Sequence, residues 1–415
     1  MLLIALLASG AAAQDWTITT ADFRSQPAAG ITGLSGDGVR FTVVGSADDQ
    51  QTIPLDRFVS TQRATSGGAA PVAASSNAKF TLLLSNGDRL AGEPAGVVSE
   101  QLVWRSSASL GELKVPMRRL TSLARNLATA AAMSPSAGEP PKQDLVSLAN
   151  GDTVAGVVAD CSVDKITVQT DNGPSEVPMA TVTKVTFAAV GKLTAVASTP
   201  RGFRFRLTDG SAVTVADASI SNDHLSAKFE AATIAIPLSQ LASIEQLNGP
   251  VGWLSSLTPI ESVQIPYFGG GGAISWPARS DTAVDGSPLR FEGRTFDHGI
   301  GVHSYSRLTY DVAGGAGGWA AFRTQYAIDS PRSNPRPLAD VTVRIKLDDK
   351  VVHERAHVRA GELSPVVAID LGAANTLTLE ADYGDGGDTQ DHLNWLEPAL
   401  LRQMPATTAP TTQPQ

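Results

Sequence analysis

The residues whose types could do chemistry lie in two polar and aromatic clusters near the end of the chain. The first contains His303 and Tyr305, and the second contains Asp391, Asn394 and Trp395. A saccharide site needs an aromatic face for the apolar side of a sugar ring and a few fixed polar groups for its hydroxyls. These residue types therefore predict a carbohydrate-binding site, provided that one fold brings the two distant clusters together.

Three of these candidates also have a purely structural explanation. Trp395 lies between Leu393 and Leu396 and could be a core residue. His303 could be a buried imidazole with a satisfied hydrogen bond, and Asp391 could accept hydrogen bonds from loop amides. The sequence leaves both alternatives open at each of these positions.

An acidic, glycine-rich segment lies just before the second cluster, at residues 382–391. It places Asp382, Asp385 and Asp388 at every third position. Calcium prefers oxygen ligands on a flexible loop, but it takes six to eight of them, and this spacing matches no known calcium loop. A solvated turn is the favoured explanation. A structural calcium at these three carboxylates stays open as an alternative, and no other cofactor is predicted.

The residues before about position 250 contain a weak internal repeat. Asn-Gly or Asp-Gly turns recur within alternating β runs, and each is followed by an apolar-Pro-apolar strand end. A similar strand end occurs once more, earlier in the chain. The four prolines are Pro54, Pro116, Pro178 and Pro237, which are 62, 62 and 59 residues apart. Asn-Gly and Asp-Gly supply the positive φ angles of two-residue hairpin turns. A fixed period of this kind predicts four copies of one unit.

Each copy predicts about five short strands that form a small, partly open barrel. The outline is similar to SH3-like or Sm-like barrels, a likeness of architecture that carries no function. The predicted repeats are 16–63, 79–124, 144–190 and 202–248. The segments around residues 64–71 and 130–141 are rich in small residues and proline, as spacers between modules are.

The region from about residue 250 to 402 predicts a larger β-sandwich. Ser306–Val312 and Val341–Leu347 alternate cleanly between apolar and polar residues, which is the period of a half-buried strand. No helical stripe is evident here, so a stack of two sheets is the favoured architecture. The whole chain is therefore predicted to be all-β.

This C-terminal region also resembles the NPCBM family of carbohydrate-binding modules. The runs that carry the resemblance are Gly286–Gly293, Phe296–Ser304, Ser306–Tyr310, Phe322–Asp329 and Asp391–Trp395 with Pro398. The sequence departs from the family's pattern at Ala327, where glycine is usual. The resemblance implies a galactose-binding-like jelly roll. Such modules occur in secreted enzymes that act on polysaccharides, and also in proteins without a recognisable catalytic domain.

Composition narrows the choice of partners. The formal net charge is −9, and no basic face of the kind that neutralises phosphates is evident, so nucleic acid is not expected as a partner. The one cysteine, Cys161, cannot form an intramolecular disulfide. It lies beside aspartates, which would raise the pKa of a thiol, so we expect a structural role.

The two ends of the chain predict export and a disordered tail. Residues 1–13 read as a signal peptide, with an apolar core at Leu2–Ala8 and small residues at Ala11–Ala13. No later stretch is apolar for long enough to span a bilayer, so no transmembrane segment is expected. These features predict a secreted, periplasmic or cell-envelope location. Residues 403–415 are of low complexity and predict a disordered tail.

The predicted function is that of a secreted, non-catalytic protein that binds carbohydrate through its C-terminal sandwich. The repeats would act as spacer or assembly modules. No Gly-x-Ser-x-Gly, His-Glu-x-x-His or phosphate loop is present in the sequence. One alternative is a structural component of the cell envelope that binds proteins and has no sugar site. Another is a glycoside hydrolase accessory, or a hydrolase with an unrecognised active site.

Overall fold

The computed structural model describes residues 15–46, 49–64, 79–125, 141–188, 201–267, 276–313, 318–328 and 338–402. The predicted signal peptide and the predicted tail lie outside these ranges. Within them, regular structure consists of β-strands and four short 3-10 helices, as the sequence predicted for an all-β chain. The chain divides into two compact units at Gly249 and Pro250, which are treated separately below.

The N-terminal unit contains β1 to β21. The first group of strands is β1 (Trp16–Thr20), β2 (Ser25–Ser35), β3 (Gly38–Val43), β4 (Gln50–Ile53) and β5 (Phe58–Arg63). The second is β6 (Phe80–Leu84), β7 (Arg89–Val98), β8 (Gln101–Ser106), β9 (Glu112–Pro116), η1 (Met117–Arg119) and β10 (Leu120–Arg125). The third is β11 (Asp144–Leu148), β12 (Thr153–Cys161), β13 (Lys165–Thr170), β14 (Gly173–Pro178), η2 (Met179–Thr181) and β15 (Val182–Thr186). The fourth is β16 (Gly202–Leu207), β17 (Ala212–Val215), β18 (Ala218–Ser221), β19 (His224–Phe229), β20 (Ala232–Pro237), η3 (Leu238–Gln240) and β21 (Leu241–Leu247).

The same antiparallel pairing recurs in all four groups. The first strand of each group pairs with the second, and the last strand returns to pair with the first, as β1 does with β2 and β5. The equivalent closing pairs are β6 with β10, β11 with β15, and β16 with β21. The predicted turns form with positive φ angles at Gly87, Gly151 and Gly210. In the last three groups the repeated proline directly precedes a 3-10 helix, because proline suits the entry to a helical turn.

The four groups are joined by strand pairing into one unit with one hydrophobic core. Strand β5 of the first group pairs with β21 of the fourth, and β10 of the second pairs with β15 of the third. Two arginines repeat the same contact at these junctions. Arg63 donates to the carbonyl oxygens of Leu238 and Leu241, and Arg125 donates to those of Met179 and Val182. Each junction therefore consists of one pair of strands and the hydrogen bonds of one arginine.

The C-terminal unit is a β-sandwich. Its strands are β22 (Val251–Trp253), β23 (Glu261–Gln264), β24 (Arg279–Ser280), β25 (Arg290–Phe291), β26 (Arg294–Thr295), β27 (Gly299–His303), β28 (Ser306–Asp311), β29 (Ala321–Ile328), β30 (Asp340–Leu347), β31 (Lys350–Arg359), β32 (Val367–Asp370), β33 (Thr376–Tyr383) and β34 (His392–Leu401), with η4 (Leu254–Ser256). One sheet has the order β24-β27-β34-β29-β32, with β22 also on β34. The other has the order β23-β28-β33-β30-β31, and β25 pairs with β26.

The facing sides of the two sheets enclose the main core of the sandwich. The alternation predicted for the second sheet is observed, since Leu308, Tyr310, Val341, Val343 and Ile345 are all buried in this core. The first sheet is covered on its other side as well, where Leu289 and Phe296 pack with Leu396 in a smaller cluster. The central strand of this sheet, β34, is therefore buried on both faces.

One end of the sandwich collects the termini of several strands. The register pairs Gln264 with Ser306, Asp340 with Arg359, and His303 with His392. Tyr383, at the end of β33, pairs with Val341 at the start of β30. We call this end, which includes Gln264, His303, Asp340, Tyr383 and His392, the strand-end surface. Loops that follow strands are where rigid sheets usually present binding residues.

Candidate carbohydrate-binding site

Three aromatic rings meet on the strand-end surface. The indole of Trp276 is stacked on the imidazole of His303, with centroids 5.6 Å apart and an interplanar angle of 10°. His392 completes the cluster, with centroid distances of 5.2 Å to Trp276 and 5.4 Å to His303. Trp276 and His392 are partly exposed, whereas His303 is buried beneath them. The arrangement presents a large apolar ring at the surface beside two groups able to form hydrogen bonds.

The position of Trp276 is fixed by a neighbouring strand. Its backbone N–H donates to Oε1 of Gln264 at 3.0 Å, and the side-chain amide of Gln264 donates to the carbonyl oxygen of Trp276. Gln264 is the last residue of β23. The tryptophan is thus held at the strand-end surface by a reciprocal pair of hydrogen bonds from the second sheet.

The surroundings of the two imidazoles decide which groups they offer to a ligand. Nδ1 of His303 lies 2.9 Å from the carbonyl oxygen of Ser304, which can only accept, so Nδ1 carries a proton. Burial, and next the neighbouring His303, lower the pKa of His392. A neutral imidazole at His392 offers one donor and one acceptor, which suits sugar hydroxyls.

A group of tyrosines lies on the same end of the sandwich. The ring of Tyr267 meets Tyr383 edge to face at 5.1 Å, and Tyr305 lies 6.3 Å from Tyr383. The hydroxyl of Tyr305 donates to Oε2 of Glu380 at 3.0 Å. Burial, together with the charge of Glu380, raises the pKa of Tyr305 to about 12, so this hydroxyl stays protonated at neutral pH. The side chain of Tyr267 is 51% exposed and adds a second accessible ring.

The placement of Trp395 requires a correction to the predicted site. Its ring is 1% exposed and lies in the main core, in edge contact with Tyr326 at 5.7 Å. The register places Trp395 opposite Ile300, so its side chain points into the sandwich. Of the two explanations left open by the sequence, the structure supports the core residue, because no ring face of Trp395 is available to a ligand.

Asp391 and Asn394 are also buried. Asp391 accepts hydrogen bonds from the hydroxyl of Ser304 at 2.5 Å and from the backbone N–H of Asp340 at 3.1 Å. Burial raises the pKa of Asp391 to about 6, although these hydrogen bonds lower it. Asp391 therefore does not face solvent, and its hydrogen bond to Ser304 stabilises the turn between His303 and Tyr305. Oδ1 of Asn394 is buried and has no hydrogen-bond partner among the described residues.

The three loop aspartates have separate partners. Asp382 forms an ion pair with Arg344 at 2.8 Å, and Asp388 accepts a hydrogen bond from the backbone N–H of Tyr267 at 3.1 Å. Asp385 is largely exposed and lies 3.9 Å from Nδ1 of His357. The observed contacts do not gather these carboxylates around one point. The hypothesis of a calcium ion at Asp382, Asp385 and Asp388 therefore has no geometric support in the described residues.

Comparison with known proteins bears on the C-terminal unit. Residues 252–401 match the sequence model of the NPCBM/NEW2 domain family. This unit is similar to the NPCBM/NEW2 family. The match agrees with the resemblance inferred from the sequence motifs, and it supports a carbohydrate-binding module. The part of the chain before residue 252 lies outside the match. No curated protein matches the chain.

Several solved structures are similar to the chain. One contains the second CBM51 module of Clostridium perfringens ZmpB with GlcNAc, at 22% identity and a TM-score of 0.31, covering 43% of this chain. The chain spans 36% of the length of that protein. A CBM51 module from a Clostridium perfringens GH95 protein with methyl-galactose has 21% identity and a TM-score of 0.31, covering 36% of this chain and 99% of its own. Tandem CBM51 modules of a Streptococcus pneumoniae family 98 glycoside hydrolase have 13% identity and a TM-score of 0.30. The match covers 64% of this chain and 89% of theirs.

Sequence reasoning missed three accessible rings of the C-terminal unit. Trp276 follows a glycine run that gives no strand pattern, and Tyr267 precedes that run. His392 is adjacent to Asp391 and lies within the second cluster, but the predicted ring of that cluster was Trp395. An available signal was the scarcity of tryptophan, since the chain has six and only one lies in this glycine-rich stretch.

Among the described residues there is no helix with the length and hydrophobicity needed to cross a bilayer.

Proposed function

We propose that the C-terminal unit binds carbohydrate at the strand-end surface, through Trp276, His303 and His392. The observation that carries the proposal is the partly exposed indole of Trp276, held parallel to one imidazole and beside another. The apolar face of a pyranose packs against an indole, while the imidazoles exchange hydrogen bonds with its hydroxyls. The family match supports the same class of ligand.

We further propose that the site binds the terminal sugar of a glycan and not a sugar in its interior. One tryptophan with two adjacent imidazoles provides a single ring-sized platform, while the exposed ring of Tyr267 belongs to the group of tyrosines around Tyr383. An extended site for several sugar units would need a row of exposed rings. Galactose-type sugars are the first candidates, and GlcNAc is the second. These are the sugar types present in two of the similar solved structures.

For the remainder of the chain we propose a non-catalytic role in an exported protein. The N-terminal repeats, which we propose are SH3-like or Sm-like barrels, would hold the sandwich away from an attachment point or assemble it with envelope proteins. The recurring closure of the last strand on the first supports a barrel-like unit. Strand pairing also joins the four groups to one another, through β5 with β21, β10 with β15 and β17 with β7. This pairing favours one assembled body instead of four modules on flexible spacers.

A glycan array probed with the full chain tests the proposal. We expect binding to glycans that end in galactose or GlcNAc, and loss of this binding in Trp276→Ala. Competition by free methyl-galactose would show that a terminal residue is sufficient. If no glycan is bound at a micromolar concentration of the protein, the alternative replaces this proposal: a component of the cell envelope that binds proteins and has no sugar site. Release of reducing sugar from the same glycans would contradict the non-catalytic assignment.

A further inference from the structure

A second group of side chains on the strand-end surface contains metal-binding types that the sugar site does not use. Asp340, His357 and Asp385 each offer one ligand atom, and these atoms all lie within 4.8 Å of one another. They come from three different parts of the fold: the start of β30, the end of β31, and the loop after β33. The fold, and not their closeness in the sequence, therefore brings the imidazole and the two carboxylates together.

The spacing of His357 and Asp340 fits two ligands that share one ion, and Asp385 lies somewhat farther away. Nδ1 of His357 is 3.2 Å from Oδ1 and 3.1 Å from Oδ2 of Asp340. Zinc binds nitrogen and oxygen ligands at about 2.0–2.2 Å, so two ligands of one tetrahedral ion are about 3.3 Å apart. Asp385 lies 3.9 Å from the same nitrogen, in a loop where Gly384, Gly386 and Gly387 permit a small adjustment. Without an ion, the first contact is a hydrogen bond.

The backbone directs His357 towards this point. Between Val341 and Val343 the register of β30 with β31 shifts, which leaves His357 in a bulge. Its φ angle is 56°, in the left-handed region that few non-glycine residues adopt. Bulges commonly turn a side chain towards a site at the edge of a sheet. The carboxylate of Asp340 is largely buried, and Nη2 of Arg359 lies 3.6 Å from its Oδ2.

We propose that Asp340, His357 and Asp385 form a site for a divalent transition-metal ion of the zinc type. One imidazole and two carboxylates suit zinc, whereas calcium takes six to eight oxygen ligands. Three protein ligands leave a fourth position for water or for an oxygen atom of a partner. The ion would fasten the acidic loop to β30 and β31. The same loop carries Asp388, which binds the backbone of Tyr267. The site does not depend on the proposed sugar binding.

Calorimetric titration with zinc chloride tests the proposal on the full chain, after treatment with EDTA and removal of the chelator. We expect one equivalent to bind at pH 7.5 and to raise the melting temperature of the sandwich. His357→Ala and Asp385→Asn should each weaken binding by about a hundredfold or more. His224→Ala removes an exposed imidazole from the other unit and should bind zinc as the unchanged chain does.

Several results would overturn the zinc site. They are no zinc uptake, uptake that persists in both His357→Ala and Asp385→Asn, uptake that is lost in His224→Ala, and binding of calcium in preference to zinc. Asp385 is 84% exposed on its side chain, so Asp385→Asn should fold even if His357→Ala does not. Sugar binding measured with EDTA present keeps the two proposals separate, because a failed zinc site leaves the ring cluster intact.

Discussion

The indole of Trp276 lies nearly parallel to the imidazole of His303, with an angle of 10° between the rings and 5.6 Å between their centroids. At this separation the rings are offset, so each contacts the other while part of the indole stays uncovered. His303 ends a buried strand, and Trp276 is tied to Gln264 on the opposite sheet. The stack therefore fixes an aromatic face at a defined place before any ligand arrives, which lowers the entropic cost of binding.

Removing this face should weaken sugar binding without unfolding the domain. We expect Trp276→Ala to lower the affinity for a bound glycan by about tenfold or more, or about 1.4 kcal/mol, because the apolar contact is lost. Isothermal titration calorimetry measures the change. Trp319→Ala is the matched control, since Trp319 is another partly buried tryptophan of the sandwich, stacked under Arg402 at 4.4 Å. Equal losses in the two variants would argue against a role specific to Trp276.

Trp395 should matter for stability. Trp395→Ala removes a large, fully buried side chain, and such changes cost about 3–5 kcal/mol. We expect the transition of the sandwich in differential scanning calorimetry to fall by about 10 °C. Trp395→Phe, which keeps most of the volume, should fall by much less. A melting temperature that is unchanged in Trp395→Ala would show that the ring is not part of the core.

The stability of the sandwich should depend on pH through His392. Burial and the neighbouring His303 lower the pKa of His392 below its ordinary value of about 6.5. The unfolded chain then binds a proton more readily than the folded chain, so the free energy of unfolding decreases as the pH falls below about 6.5. The slope from one such group is at most about 1.4 kcal/mol per pH unit.

The variant His392→Gln isolates this contribution. It cannot take up the proton, so we expect its free energy of unfolding, from urea denaturation between pH 5 and 7, to fall less steeply than that of the unchanged chain. The difference should vanish above about pH 7 apart from a constant offset. Curves that run parallel over the whole range would show that His392 does not titrate differently in the folded state.

The junctions between the strand groups should depend on two arginines. Arg125 donates to the carbonyl oxygens of Met179 and Val182 in the third group and lies over Phe80, 4.8 Å from its centroid. Hydrogen bonds from a charged group contribute about 1.5–3 kcal/mol, so Arg125→Ala should destabilise the N-terminal unit by about 2 kcal/mol. The equivalent contacts of Arg63 predict a similar loss.

Exposed Arg105 provides the control for these junctions, and Arg105→Ala should change the stability little. Chemical denaturation followed by circular dichroism measures all three variants. If Arg125→Ala and Arg105→Ala behave alike, the hydrogen bonds across the junction contribute nothing measurable.

Local chemistry made much of the fold predictable. Glycine at a turn and proline before a 3-10 helix act within a few residues, so the turns and strand ends that they mark could be placed from the sequence. The joining of β5 to β21 could not be predicted, because any exposed edge strand offers the same unpaired backbone groups. The cleanly alternating β28 and β30 were predicted for a similar local reason, since each has one face on the core.

The site was harder to predict because the positions of Trp395 and Trp276 depend on tertiary contacts. Trp395 lies on β34, which is buried on both faces because Leu289 and Phe296 cover the side away from the main core. Alternation therefore carries no information along this strand. Trp276 follows a glycine run, and its two hydrogen bonds to Gln264 hold it beside His303.

Fluorine NMR of the full chain labelled with 5-fluorotryptophan tests the central claim most directly. The chain has six tryptophans, and the resonance of Trp276 is assigned by its absence in Trp276→Phe. On addition of a glycan that the protein binds, we predict that the Trp276 resonance shifts and saturates, while those of Trp395 and Trp104, both fully buried, stay in place. A resonance of Trp276 that does not move at saturating glycan would contradict carbohydrate binding at the strand-end surface.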